Sequence, residues 1–486
     1  MSAETYFVSP SGNDSNNGSQ STPFKTFQKS ISVLNPGDEL KINPGTYTDR
    51  LFINKSGNNN NWITFSPVSG RPNINGNFNI EPLEVKGDYI KVIGLEIQKG
   101  EIFCADVDIS SQHVIFDDLK IHNCNGHGIN IDGQNITFQN SEVYRTNLEF
   151  AHTGQSSGWG SGIKGHHGAK NLIIKNNVSY HNYGEGIAMT RVVGAIIENN
   201  TTYDNFAVNI YTDNSNDVIV RNNLSYHTNN NEYYNKDGEK GRCYELAEEY
   251  YSGWGAQMHH VQVYNNIGVG CRYGIAFFDG GQNGTAIKNI SIHNNLFWNI
   301  TRTGTSIDSL PTQGTNEFYK NIVYSSRGVD IWTDLSSGIN FHTNLWVSGE
   351  PDVNIAKGSG DQHGQPEFIS TPTLTNPESY KLKTSSAAFQ AGIGPYQSGF
   401  SNVIGASSGL IDPTPTITPS PSVSPSPTNC NEDINLDGTV NIKDYTILVG
   451  DFMSTNPIDP RSDINGDGKI NLHDYSLLSA KFFDNC

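Results

Sequence analysis

The repeat that decides the fold is visible in three consecutive stretches: GIKGHHGAKNLIIKNNVSYHN (162–182), GIAMTRVVGAIIENNTTYDN (186–205) and NIYTDNSNDVIVRNNLSYHT (209–228). Each contains a short strand, a turn, a second apolar strand, an Asn-Asn pair and a polar corner. Asn177, Asn200 and Asn223 recur every 23 residues, and self-similarity at such a period is typical of a solenoid. The units are rich in β-branched residues and lack helical apolar spacing, so they predict a parallel β-helix whose stacked turns bury one continuous core.

Composition limits the classes of function. The 486-residue chain has 49 glycines, 16% charged residues and a formal net charge of −18, which disfavours nucleic acid or an anionic membrane as partner. The sequence has no run of 18 apolar residues, so we expect no membrane insertion. The opening residues MSAET are not a signal peptide, and we expect a secreted, extracellular monomer from which a leader has been removed.

The ends of a solenoid need caps, because the last turn would otherwise expose its core. Residues 23–34 are predicted to be an N-terminal helical cap, since four apolar residues there share one helix face. These are Phe24, Phe27, Ile31 and Leu34. Coils are expected from about 38 to about 350 and a closing segment over 351–411, so that 1–411 is the β-helix catalytic domain. Residues 412–428 are a Pro/Thr/Ser-rich linker.

Two similar loops follow the linker, DINLDGTVNIKD (433–444) and DINGDGKINLHD (463–474). Both have oxygen side chains at loop positions 1, 3, 5, 9 and 12 and Gly at position 6, which is the spacing of an EF-hand calcium loop. The predicted ligands of two Ca²⁺ are Asp433, Asn435, Asp437, Thr439, Asn441 and Asp444 in the first loop, and Asp463, Asn465, Asp467, Lys469, Asn471 and Asp474 in the second.

This duplicated loop and helix, residues 429–486, resembles a type I dockerin. The resemblance implies a small α-helical, calcium-folded module that binds a cohesin on a scaffold or cell-surface protein. It also implies that the upstream domain is an enzyme acting on plant or matrix polysaccharide.

The six cysteines contain no C-x-x-C metal pattern. Cys430 and Cys486 bracket the C-terminal module, and we expect them to form a disulfide. The other four either pair between neighbouring turns or remain buried thiols. They are Cys104, Cys124, Cys243 and Cys271.

One face of the β-helix collects reactive side chains. Ile163, Ile187 and Ile210 align across three turns and should point into the core, so their neighbours should point outward. The outward set is Lys164, His166, Ala188, Thr190, Tyr211 and Asp213, with Asn130 and Asp132 from the preceding turn and Glu245 and Glu248 from the following one. Glu185 and Arg191 flank this set, and Trp159 and Trp254, in Gly-Trp-Gly contexts, are candidate sugar-stacking walls. We expect an exposed face that binds a long sugar chain.

The favoured chemistry is β-elimination of a uronate polysaccharide, in which a base removes the proton α to a carboxylate. Lys164 is the predicted base, Arg191 or His166 would bind the substrate carboxylate, and Tyr211 would donate to the leaving oxygen.

The stretch GSGIKGHHGAKN (160–171) resembles the strand that carries the lysine base in family-nine pectate lyases, which are right-handed β-helices. The segment VSPSGNDSNNGSQSTPFKTFQ near the N-terminus is similar to the start of many such chains. The resemblance implies Lys164 as base. The calcium site of that family needs several aspartates on the turns before the lysine, and CNGHGINIDG contains only Asp132, so a groove calcium is left open.

The same residues are compatible with three other functions. Glycoside hydrolysis needs two carboxyl groups across the scissile bond, and Asp213 with Glu245 or Glu185 could supply them. A uronate epimerase would share the α-proton step. A non-catalytic carbohydrate-binding solenoid would use the face for binding alone.

Overall fold

The computed structural model describes residues 3–150, 160–235, 238–251, 253–279, 286–307 and 311–400, and in the C-terminal part 434, 447–448, 460–464, 469–470, 474 and 477–478. The chain divides into two compact units, residues 1–407 and 408–486. Each unit is described by itself. Among the described residues, no helix is long and apolar enough to cross a membrane.

The first unit contains three long sheets in which every strand pair is parallel. The groove sheet has 11 strands: Leu51–Ile53, Leu83–Val85, Ala105–Val107, Ile129–Ile131, Ser161–Gly165, Glu185–Thr190, Val208–Asp213, Arg242–Glu248, Tyr273–Asp279, Thr303–Ile307 and Ile331–Thr333. The second sheet has 13: Thr5–Val8, Glu39–Ile42, Ile63–Pro67, Ile90–Ile93, Gln112–Asp117, Gln134–Gln139, Lys170–Lys175, Val193–Glu198, Asn216–Arg221, His259–Tyr264, Ile290–His293, Glu317–Tyr319 and Asn340–His342.

The third sheet also has 13 strands: Thr46–Tyr47, Asn73–Asn75, Glu96–Gln98, Lys120–His122, Glu142–Tyr144, Val178–Tyr180, Thr201–Tyr203, Leu224–Tyr226, Ile267–Val269, Leu296–Ile300, Ile322–Ser325, Leu345–Trp346 and Gln362–His363. A two-stranded pair is formed by Ile287–Lys288 and Thr312–Gln313. Successive turns contribute one strand to each long sheet, and the predicted parallel β-helix is confirmed.

The Asn-Asn pairs form a buried ladder at the corner between the second and third sheets. The Asn177 Nδ2 donates to Asn200 Oδ1 at 3.0 Å, and the Asn200 Nδ2 donates to Asn223 Oδ1 at 3.0 Å. The ladder continues through Asn266, Asn295, Asn321 and Asn344. Each amide also bonds backbone groups of adjacent turns, so a fully buried polar side chain leaves little hydrogen-bonding capacity unused.

Helix α1, Phe27–Val33, is the predicted N-terminal cap, and it is shorter than the expected span of 23–34. The Oγ1 of Thr26 accepts from the backbone N–H of Lys29 at 3.2 Å and caps the helix N-terminus. Its apolar face is buried. Strand Thr5–Val8 pairs with Glu39–Ile42 and adds a strand that the repeat did not predict.

The closing segment contains helix α2, Ala387–Gln390, and the 3₁₀ turns Asn354–Ala356, Pro377–Tyr380 and Pro395–Ser398. Further 3₁₀ turns are Leu148–Phe150, Asn231–Tyr233 and Pro460–Ser462. Tyr380, Leu382 and Ile393 are buried against apolar residues of the third sheet, including Leu224 and Ile322. The segment therefore covers a side of the later turns.

Disulfides join Cys104 to Cys124 and Cys243 to Cys271, each between neighbouring turns. Of the two alternatives for these four cysteines, pairing is thus the one observed. The expected Cys430–Cys486 bond lies outside the described residues.

Of the second unit, the described residues include the buried apolar side chains of Ile434, Leu448, Ile470 and Leu478. The side chain of the predicted calcium ligand Asp474 is also buried, and Asp463 and Lys469 are described. The other predicted ligands lie outside the described residues: Asp433, Asn435, Asp437, Thr439, Asn441, Asp444, Asn465, Asp467 and Asn471.

Candidate active site

The groove sheet places Lys164 in a column of register partners. Lys164 pairs with Asn130 in the preceding strand and with Ala188 in the following one. Ala188 pairs with Tyr211, and Tyr211 pairs with Glu245. A second column contains Thr190, Asp213 and Ala247, as the strand periodicity predicts for the first two.

The Lys164 side chain is only 7% exposed, and its Nζ donates to Thr190 Oγ1 at 2.8 Å. Two imidazoles lie close to this ammonium. Burial and the charge of Lys164 lower the pKa of His127 to about 3 and that of His166 to about 2. Both rings are therefore neutral at neutral pH.

Arg191 lies at the edge of this cluster. Its Nη2 donates to His166 Nε2 at 2.5 Å, and its guanidinium lies over the rings of Tyr251, at 4.8 Å, and Trp254, at 5.6 Å. One face of Trp254 is thus occupied by Arg191. Trp159, the other predicted stacking residue, lies outside the described residues.

The expectation of an exposed sheet face is wrong for the turns after Lys164. A covering segment, Glu249–Tyr251 and Gly253–Met258, lies over the groove sheet. The hydroxyl of Tyr211 donates to Glu249 Oε1 at 2.6 Å, and the hydroxyl of Tyr251 donates to Asp213 Oδ2 at 2.6 Å. Tyr211 is 6% and Asp213 0% exposed, so both hold the covering segment in place.

Four predicted carboxylates are buried under or beside this segment. Burial raises the pKa of Asp213 to about 6 and that of Glu245 to about 7. Glu245 Oε2 accepts from Arg242 Nη1 at 2.9 Å, and Glu185 Oε2 accepts from Ser161 Oγ at 2.7 Å. The remaining carboxylate, that of Glu248, accepts from the backbone N–H of Met258.

The turns before Lys164 carry an acidic cluster that the sequence analysis missed. Asp106 pairs in register with Asn130, whose Nδ2 donates to Asp106 Oδ1 at 2.9 Å. Burial, together with the charges of Asp132, Glu84 and Asp108, raises the pKa of Asp106 to about 6. The short strands LEV, ADV and INI could have revealed the alignment, because Glu84, Asp106 and Asn130 are their central residues.

These oxygens fit a hard divalent cation. Among the described residues, Asn130 Oδ1 and Asp132 Oδ1 are buried and have no hydrogen-bond partner. Asp132 Oδ2 is paired with His167 Nδ1 at 3.0 Å. Carboxylate and amide oxygens are the ligands that Ca²⁺ prefers, so the expectation that Asp132 stands alone before the lysine is wrong.

Comparison with known families gives one match in each part of the chain. Residues 6–216 match the family model of the Pel9A-like right-handed β-helix region, and residues 431–482 match that of the type I dockerin domain. Pectate lyase L of Dickeya dadantii (strain 3937) is 29% identical over 158 residues, which are 29% of this chain and 37% of that protein. The chain thus spans little more than a third of that relative's length.

Two solved structures share the fold. A rhamnogalacturonan lyase superposes with a TM-score of 0.50 at 16% identity, over 81% of this chain and 100% of that one. The structure of XylC with xylose gives a TM-score of 0.54 at 14% identity, over 75% and 87%. The family matches confirm the resemblance to family-nine pectate lyases and to type I dockerins, and the fold matches agree with a right-handed β-helix.

Proposed function

We propose that this chain, a Pel9A-like right-handed β-helix followed by a type I dockerin domain, is a secreted polysaccharide lyase. It cleaves an acidic, uronate-containing polysaccharide by β-elimination, with Lys164 as the base. The observation that carries this proposal is the position of Lys164. Lys164 lies one strand beyond Asn130, in the column that follows the unpartnered oxygens of Asn130 and Asp132.

The reaction needs a neutral amine beside the α-carbon of a uronate. Thr190 Oγ1, 2.8 Å from Nζ, fixes the amine on the groove sheet. Nζ takes the α-proton, and the electron pair left on the α-carbon forms a C=C bond as the bond to the glycosidic oxygen breaks. The glycosidic oxygen takes up a proton from solvent, and the proton on Nζ is released to solvent, so the step is balanced. No water is consumed.

Asp106, Asn130 and Asp132 would hold a calcium ion in the groove. Bound there, the ion would neutralise the substrate carboxylate and make the α-proton more acidic. We assign Arg191 to binding a substrate carboxylate. Tyr211 donates its hydroxyl to Glu249, so we assign it to the covering segment rather than to the leaving oxygen.

Glycoside hydrolysis receives less support. Asp213 Oδ1 accepts from the Glu249 backbone N–H and Asn214 Nδ2, and its Oδ2 accepts from Tyr251. A nucleophile or general base needs a free oxygen facing the sugar. Glu245 is 4% exposed and paired with Arg242.

The test is incubation with pectate, alginate and neutral plant glycans, following the ultraviolet absorbance of the new C=C bond together with reducing ends. Pectate comes first because the matched relative is named a pectate lyase. We expect absorbance with an acidic polymer, and its loss in Lys164→Ala. Lys170→Ala is the control, since Lys170 is exposed at the start of a neighbouring strand. Reducing ends without absorbance would contradict the proposal.

The dockerin domain is proposed to bind two Ca²⁺ and a cohesin, so that the enzyme is attached to a scaffold or cell surface. The full chain should be retained by immobilised type I cohesin in calcium and released by a chelator. Retention that is indifferent to chelation would contradict this assignment.

A further inference from the structure

In the part of the chain that the structure describes, the groove sheet is accessible on the turns before Lys164 and covered on the turns after it. On the preceding turns, the side chains of Lys86 and Asp108 are 45% and 30% exposed. On the following turns, Ala188, Asp213 and Ala247 are 0% exposed. Asn130, in the strand just before Lys164, is itself 4% exposed, so the more accessible part of the sheet begins at Asp106, two strands before the proposed base.

The covering segment, called the cover below, is held by hydrogen bonds as well as by packing. Its start is fixed by the bonds of Glu249 and Tyr251 to Tyr211 and Asp213, and its end by the bond from Met258 N–H to Glu248. Beneath it, Ala188, Val208, Tyr211 and Ala247 form an apolar cluster. A sugar chain has no room between this cluster and the segment that covers it.

The cover reaches back to the turn that carries Lys164. Trp254 lies beside Gly168, where a Cβ would be 3.5 Å from the Trp254 Cη2. Arg191 fills the space next to that ring, 5.6 Å from its centre. A polysaccharide chain lying along the strand column would therefore meet the cover immediately after Lys164.

The open side extends in the other direction to Phe52. Phe52, Glu84, Asp106, Asn130 and Lys164 are successive register partners. Four strand spacings separate the ends of this column, which is about 19 Å and long enough for several sugar residues.

A cavity of about 660 Å³ lies at the Phe52 end, which is within the size range of small-ligand sites. Its lining includes Phe52, Arg50, Asn54 and Lys55. The Lys86 Nζ is 5.7 Å from the centre of the Phe52 ring. The lining also includes one acidic residue, Asp49, beside the two cationic residues Arg50 and Lys55. The aromatic ring, with cationic and amide groups next to it, suits one sugar residue of an acidic chain.

We propose that the groove accepts the polysaccharide on one side only, so the enzyme cleaves near a chain end and releases short oligosaccharides. The Phe52 cavity binds the part of the chain that remains. This inference rests on the proposed function, because it presupposes elimination at Lys164.

The first experiment follows absorbance and viscosity together on a long acidic polymer that the wild-type chain cleaves. We expect absorbance to rise while viscosity stays high, with one or two short products from the earliest times. A collapse of viscosity after a small fraction of bonds is cleaved, with products of mixed length, would overturn the inference while leaving the lyase proposal intact. No absorbance with any acidic polymer would overturn both.

Variants test each end of the groove. Trp254→Ala and Tyr251→Phe should loosen the cover and shift the products toward longer, mixed lengths. Phe52→Ala should raise KM about fivefold for oligosaccharides that span the column, since an aromatic contact is worth about 1 kcal/mol, and leave KM for a trimer unchanged. Phe78→Ala is the control, because Phe78 is an exposed phenylalanine outside the strand column. Equal effects of Phe52→Ala on long and short substrates, or unchanged products from both cover variants, would overturn the assignment.

Discussion

The asparagine ladder and the groove face both bury polar side chains, but those of the ladder are hydrogen-bonded and some of those in the groove are not. In the ladder, Asn200 accepts from Asn177 and donates to Asn223 and to the carbonyl of Ile174. In the groove, Asn130 Oδ1 and Asp132 Oδ1 are buried with no partner among the described residues. A fully hydrogen-bonded network such as the ladder stabilises the fold, whereas the unpartnered oxygens of the groove are available to bind a ligand.

The largest expected effect comes from breaking the closed network. Asn200→Ala removes the donors and acceptors that satisfy Asn177, Asn223 and Ile174, and we expect it to lower the free energy of unfolding by about 3 kcal/mol or more. The urea midpoint of the purified chain measures this.

Asn199→Gly is the matched control for Asn200→Ala. Asn199 has a φ of 55°, a conformation that glycine adopts without strain. A loss of stability in Asn199→Gly as large as that in Asn200→Ala would contradict the special role of the ladder.

The two regions also differ in how far the sequence predicts them. Asn177, Asn200 and Asn223 recur at a constant spacing, so the ladder, the strand register and the alignment of Lys164, Ala188 and Tyr211 follow from counting residues. These features depend only on neighbouring turns, and the alignment of Lys164, Ala188 and Tyr211 was predicted correctly.

The groove depends on contacts that no repeat encodes. Glu249 and Tyr251 belong to a loop that interrupts the repeat after Glu245, and their bonds to Tyr211 and Asp213 connect positions 38 residues apart. Periodicity gives the direction of a strand side chain but not what covers it. For this reason the exposure of Asp213 and Tyr211 was predicted wrongly.

The second prediction concerns calcium binding by the unpartnered oxygens of the groove. Asp132→Asn removes a carboxylate from the proposed groove site and should raise the calcium concentration for half-maximal lyase activity at least about tenfold. Calorimetric titration of the full chain should then lose one calcium per chain and keep the two bound by the dockerin loops. Asp334→Asn, an exposed carboxylate elsewhere on the β-helix, is the control. An unchanged titration of Asp132→Asn would exclude calcium binding through this side chain.

The smallest expected effect is a pH dependence at Asp106. Burial and neighbouring acidic groups raise its pKa to about 6, above the ordinary value of about 3.9. The protonated form is therefore the one favoured by folding. Its contribution to stability is present below about pH 4 and is lost as the pH rises through 6.

Asp106→Asn separates the pH-dependent stability contributed by Asp106 from that contributed by the buried histidines, which titrate in both proteins. In a chelator, the variant and the wild type should have the same thermal midpoint near pH 4, and the variant should become the more stable of the two as the pH rises to 8. Adding calcium at pH 8 should reverse the order, because only the wild type has the carboxylate that the groove cation needs. A difference in midpoint that is constant from pH 4 to 8 would mean that Asp106 acts through packing alone. Asp106 would then have a structural role, as the asparagines of the ladder have.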